Sequence, residues 1–183
     1  VFASDLSTEE ELVTYLQDYI YKNASPEELT TFVNTYDTAP TAIDGAYLEF
    51  DRLAEVLGDA FFTLKRREFL QDVAESVQTW SFLGSWTDFP ILGAFHTSDL
   101  PHLFYGTGAA SRAMQDRYIA FINSLDPNDG IDGLPMEYQT QWPQWRDSHK
   151  LLNFGGESTD IISDDFRQDS FEFIKSHADA LLL

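Results

Sequence analysis

The chain has no cysteine among its 183 residues, which excludes disulfides, thiolate nucleophiles and thiolate metal sites. It is poor in positive charge: 11 Lys and Arg stand against 31 Asp and Glu, for a net charge of -20. Nucleic-acid binding rests on Lys and Arg neutralising phosphates, so nucleic acid is not an expected partner. Anionic membrane surfaces are disfavoured for the same reason. No apolar run approaches the roughly 20 residues of a membrane-spanning helix. No signal peptide opens the chain, which begins Val1-Phe2 without a start methionine. The expectation is a processed or partial chain.

What is present is bulky and apolar. Hydrophobic residues make up 43% of the chain and aromatic ones 15%, enough for a packed core and too much for a disordered tail. Ser7-Thr8-Glu9-Glu10 reads as a capping box opening a helix over 8–22, with Leu12, Tyr15, Leu16, Tyr19 and Ile20 on one face. Ser25-Pro26-Glu27-Glu28 starts a second helix running to about Tyr36, with proline in the first turn, where its missing N–H costs nothing. A loop over 37–41 follows, then helices over 48–58 and 60–75. Gly58 is expected to break or bend the pattern, and Phe62, Phe69, Leu70 and Val73 to share the buried side. Val77 to Leu83 is a strand candidate with Trp80 and Phe82 on one face. A long loop leads to His96. A helix spans 109–124, Asp126-Pro127-Asn128-Asp129-Gly130 turns the chain, and a Trp- and Pro-rich loop runs to about Arg146. Lys150 to Phe154 is a strand, and Ser163 or Asp164 caps a final helix. Two or three strands among so many helices make a sheet too small to stand alone, which points to part of a larger fold.

Several constellations invite chemistry. A serine nucleophile needs the strand–turn–helix elbow G-x-S-x-G. Gly156-Glu157-Ser158-Thr159-Asp160 comes close, but Asp160 replaces the last glycine. A private triad of Ser158, Asp164 and His177 leaves little chain to position it, so a surface turn is the favoured reading. Asp126 to Gly133 looks like a calcium loop, yet Gly133 at position six puts Gln139 at position twelve, where the EF-hand needs Glu. His96, Asp99 and His102 lack a further ligand placed by sequence, so no metal is assigned. Lys65, Arg66 and Arg67 form a basic cluster expected to pair with acidic neighbours. Asn23-Ala24-Ser25 is a candidate N-glycosylation triplet at Asn23. His96, on a loop after a strand-like apolar run, suits a general base, because imidazole titrates near neutrality. A histidine satisfied by a backbone carbonyl is the plainer alternative.

Taken together, the order of motifs resembles one family. Val1-Phe2, Gly58-Asp59 with Phe62 and Arg66-Arg67, Trp80-Ser81-Phe82, and Leu92-Gly93-Ala94-Phe95-His96-Thr97-Ser98-Asp99-Leu100 are joined by Tyr105-Gly106, Asp126-Pro127-Asn128, Trp142-Pro143, Leu151-Leu152-Asn153-Phe154 and Asp164-Asp165-Phe166-Arg167. Nearly the whole chain is similar to the C-terminal portion of the type-B carboxylesterases and lipases, the cholinesterase-like family that includes fungal lipases. The resemblance implies an α/β-hydrolase fold, with residues 1–183 as the C-terminal part of one domain whose few strands complete a larger sheet. It implies that His96 is the catalytic histidine of a Ser-His-acid triad. Serine, acid and oxyanion hole then come from the N-terminal part of the same enzyme, the partner of this chain. An ester or lipid substrate, no cofactor and a secreted location are implied with it. Asp99 matches a family acidic position that supports the loop. Thr97 departs from the family, where many relatives have glycine, and the stretch between Tyr36 and Gly58 is shorter than in familiar lipases. The competing readings are a catalytically inactive cholinesterase-like binding module and an independent acidic helical module.

Overall fold

The structure is a computed structural model that describes residues 6–36, 49–86 and 94–181. The expected loop at 37–41, the start of the third helix at Leu48, the segment from Thr87 to Gly93 and Val1-Phe2 lie outside the described residues. The chain divides into two compact units: residues 1–69 with 165–183, and residues 70–164.

The first unit is helical. Helix α1, Glu9–Tyr19, opens with a capping box one residue later than the sequence suggested. Thr8 Oγ1 accepts from the Glu11 N–H at 3.2 Å, and Glu11 Oε2 accepts from the N–H groups of Thr8 and Ser7 at 3.2 and 2.8 Å. One carboxylate thus satisfies two donors that otherwise lack partners at a helix start. Helix α2, Pro26–Val33, is capped by Ser25 and Glu28 as expected. Helix α3, Phe50–Gly58, does not break at its glycine; it widens into a π-helical turn over Asp59–Thr63 before α4, Leu64–Val73. The wider turn rotates every later side chain around the axis. This corrects the expected buried face: Phe62 and Phe69 are 51% and 62% exposed, while Leu64 and Leu70 are buried.

Leu12, Leu16, Leu29, Phe32, Val33, Leu53 and Val56 form this unit's core with Phe171 and Ile174. The last two belong to α8, Gln168–Ser176, which starts four residues after Asp164 rather than at it. Phe32 lies edge-on to Tyr21 and Tyr36 and stacks on Phe173 at 5.6 Å. Losing such a buried ring costs about 3–5 kcal/mol. Charge is buried here too. Arg52 pairs with Glu49 and Glu9 at 2.6 and 3.1 Å, and Arg167 pairs with the fully buried Asp59 at 3.0 Å. Of the basic cluster, Lys65 pairs with Glu68 at 3.0 Å, while Arg67 is buried, donates to the Phe166 carbonyl at 2.8 Å and lies over the Phe171 ring.

The second unit contains a three-stranded sheet in the order β1-β2-β3. Strand β1 is only Phe82–Gly84, shorter than the expected Val77–Leu83, because the turn following α4 takes up Ser76 and Val77. Trp80 and Phe82 still pack on the same apolar cluster. Strand β2, Lys150–Phe154, has the expected bounds and pairs parallel with β1, Phe82 opposite Leu152. Strand β3, Thr159–Ser163, pairs antiparallel with β2, Leu152 opposite Ile161. The sequence reading placed a turn and a helix cap there; Ile161-Ile162 was the β-branched signal it passed over. Leu151 and Leu152 are both buried although they point to opposite faces, as in a strand covered on both sides.

The parallel β1–β2 pair requires a long crossover. It runs through α5 (Leu100–Phe104), α6 (Ala109–Ser124), two 3-10 turns and α7 (Trp145–Ser148). Trp86, Met114, Trp142, Leu152 and Phe154 form the core between these elements and the sheet. Trp142 is fixed at both ends. Its indole N–H donates to the Ser81 carbonyl at 2.9 Å, and its backbone N–H donates to Asn128 Oδ1 at 2.7 Å.

Candidate active site

His96 lies on the crossover, in the turn between β1 and α5, and is exposed. Backbone bonds close the turn around it: Ser98 N–H to the Phe95 carbonyl at 2.9 Å and Leu100 N–H to the Thr97 carbonyl at 3.1 Å. Thr97 has φ of 72°. That left-handed conformation suits glycine and strains a β-branched residue, whose Cβ crowds the backbone. A glycine at this position would adopt the same backbone without that strain.

The turn leads into α5, which the sequence reading missed although Pro101 in its first turn was a usable signal. Helix α5 is held against α6 by close contacts. Gln115 Nε2 donates to the carbonyls of His102 and Gly106 at 3.1 and 3.0 Å. Gly106 has no room for a side chain: a Cβ there would lie 2.0 Å from Ser111 Oγ. His102 Nδ1 is 3.2 Å from that hydroxyl, and its ring packs on Trp86 at 4.4 Å. His102 is therefore engaged in the wall behind the turn. Asp99 occupies the N-cap position of α5 and makes no side-chain capping bond. Among the described residues, no group of three or more His, Cys, Asp or Glu could hold a metal ion.

The other constellations are used differently. Ser158 is exposed in the turn between β2 and β3. A strand rather than a helix follows it, so the elbow geometry is absent. Asp164 is buried and accepts from the Trp145 indole N–H at 2.8 Å. His177 stacks on Phe173 at 4.0 Å, with Nδ1 3.0 Å from that residue's carbonyl. The stretch from Asp126 is an ordinary turn: Asp126 Oδ1 accepts from the Asn128 N–H at 2.9 Å, and Asn128 is committed to Trp142. Asn23 is exposed in the turn between α1 and α2.

Sequence reasoning missed Arg117, the buried cation of α6. It donates to the carbonyls of Tyr138 and Thr140 and faces Asn128 Oδ1 at 3.4 Å. Burial lowers its pKa to about 10, so it stays charged at neutral pH. It clamps the loop that carries Trp142. Nothing local in the sequence marks it, because its partners are backbone carbonyls some twenty residues away.

The chain is 39% identical over its full length to a secreted triacylglycerol lipase of Gibberella zeae. It is 37% identical over 95% of its length to secreted lipase 1 of Botryotinia fuckeliana, and 31% identical over 81% to lipase 1 of Geotrichum candidum. It spans 33%, 32% and 27% of those proteins. No protein-family profile matches it. Among solved structures, Aspergillus niger EstA superposes with a TM-score of 0.82 at 18% identity, covering 100% of this chain and 38% of that one. The fold is accordingly that of part of an α/β-hydrolase. Two of these relatives are secreted by name, and secretion is assigned to this chain with them. The sequence kinship and the fold agree: the chain belongs to the cholinesterase-like carboxylesterase and lipase family, of the fungal lipase type, as its C-terminal portion.

Proposed function

We propose that residues 1–183 are the C-terminal part of one α/β-hydrolase domain that hydrolyses carboxylic esters, lipids among them, and that His96 is its catalytic base. The N-terminal part of the same enzyme supplies the serine, the acid and the oxyanion hole. His96 takes the serine proton as the hydroxyl attacks the ester carbonyl, then returns it to the departing alcohol. The acid orients the imidazole, and backbone N–H groups stabilise the oxyanion. The chain needs no cofactor for this chemistry.

The observation that carries the reading is the position of His96: exposed, on a backbone-bonded turn that leads into α5, which Gln115 of α6 holds through the carbonyls of His102 and Gly106. Support for a covering partner comes from apolar surface left open in the same unit. Phe104, Tyr105, Ile122, Leu125 and Met136 are 66% to 85% exposed, more than isolated surface residues explain. Strand β1 pairs on one side only among the described residues, and an open edge of a buried sheet calls for another strand.

The test is hydrolysis of short- and long-chain p-nitrophenyl esters by the whole protein carrying His96→Ala. Loss of a triad histidine lowers kcat by roughly 10⁴- to 10⁶-fold. Activity within tenfold of wild type, with the fold intact, would refute the assignment.

A further inference from the structure

The proposed triad leaves Asn23 unused, yet this residue has chemistry of its own. Asn23-Ala24-Ser25 is an Asn-x-Ser acceptor triplet without proline in the middle. The turn that carries it is firmly held on both sides. Tyr21 and Ala24 are 1% and 3% exposed, the Ala24 N–H donates to the Tyr21 carbonyl at 3.1 Å, and Gln17 Nε2 donates to the Ala24 carbonyl at 3.1 Å. With its neighbours anchored inward, Asn23 is left exposed. Ser25 serves twice, as the hydroxyl of the triplet and as the N-cap of α2, where it accepts from the Glu28 N–H at 3.2 Å and donates to Glu28 Oε2 at 2.7 Å. The cap forms only when α2 folds, so the hydroxyl is available while the chain is still extended.

We propose that Asn23 carries an N-linked oligosaccharide in the secreted protein. In the transfer, Asn23 Nδ2 forms a bond to the anomeric carbon of a lipid-pyrophosphate-linked oligosaccharide. The bond from that carbon to the phosphate oxygen breaks, its electron pair leaves with the pyrophosphate, and the amide gives up one proton to balance the charge. No core contact is displaced, because the acceptor side chain already faces outward. The glycan keeps the α1–α2 corner in solvent. The inference rests on secretion and not on the role of His96.

The experiment uses the whole protein secreted from a eukaryotic host. The peptide containing Asn23 is mapped by mass before and after amidase release of glycans in heavy-oxygen water. The expected result is conversion of Asn23 to Asp carrying one heavy oxygen. Asn23→Gln abolishes the glycan and leaves the cap. Ser25→Asp abolishes it while supplying another good N-cap, and Ser25→Thr retains both. Recovery of the wild-type peptide with unmodified Asn23, or an unchanged glycan in Ser25→Asp, would overturn the proposal.

Discussion

Replacing Arg117 with methionine tests how the crossover is held together. The guanidinium is 1% exposed and its acceptors are neutral: the carbonyls of Tyr138 and Thr140, with Asn128 Oδ1 at the edge of reach. Methionine fills much of the same volume but donates nothing. Two carbonyls then lose their donors, at about 1–3 kcal/mol each. Against this stands the relief of no longer burying a cation that has no carboxylate partner among the described residues. We expect a net loss of about 3 kcal/mol, which would lower Tm by roughly 6–12 °C in a unit of about 150–250 residues and by proportionately less in the larger whole domain. Arg117→Lys keeps the charge but not the fork that reaches two carbonyls at once, so its loss should fall in between. Thermal unfolding of the whole protein gives the magnitude. Limited proteolysis gives the location, with faster cutting between Asp126 and Trp142. If Arg117→Met melts at or above the wild-type temperature, burial cost outweighs the clamp and the reasoning fails.

Three further outcomes follow from named contacts. Thr97→Asn places a residue that tolerates left-handed backbone at φ of 72°; it should raise stability by about 1 kcal/mol in thermal melts, whereas Thr97→Val should lower it. Burial raises the Asp59 pKa, and Arg167 only partly draws it back. The folded state therefore binds this proton more tightly than the unfolded chain, so stability falls as pH rises through the window above the ordinary aspartate value. Subtracting the pH–Tm profile of Asp59→Asn from that of wild type should give a difference that declines across that window; a flat or rising difference would contradict the burial argument. Thr8→Ala removes the α1 cap at a cost of about 1 kcal/mol in urea unfolding, since Thr8 accepts from the Glu11 N–H.

The helices show where sequence reasoning holds. Capping residues, proline in a first turn and helical apolar spacing are local signals, and α1, α2 and α6 follow them closely. The π-helical turn after Gly58 is a different case, because apolar spacing assumes a constant helical rotation and one widened turn moves Phe62 and Phe69 to the outside. Strand β3 was hidden for another reason. Ile161-Ile162 becomes a strand by pairing with Leu151-Leu152, and the Gly156-Glu157-Ser158 stretch becomes a hairpin turn as a consequence.

At the site, the residues themselves determined more than the local pattern suggested. The ordered motifs from Val1-Phe2 to Arg167 pointed to the family, and the resemblance, not the local pattern, put the proposed catalytic role on His96. They also drew attention to Thr97 as a departure from the pattern the resemblance implies. Only the tertiary structure decided why that position matters, since a positive φ is a property of the closed turn and not of any dipeptide. Only packing decided that Gly106 leaves no space beside Ser111, that His102 is engaged by Trp86 and Ser111, and that Arg117 holds the loop carrying Trp142. Local chemistry is written in residue types and their spacing. Close approach, burial and long-range pairing exist only after distant segments have met.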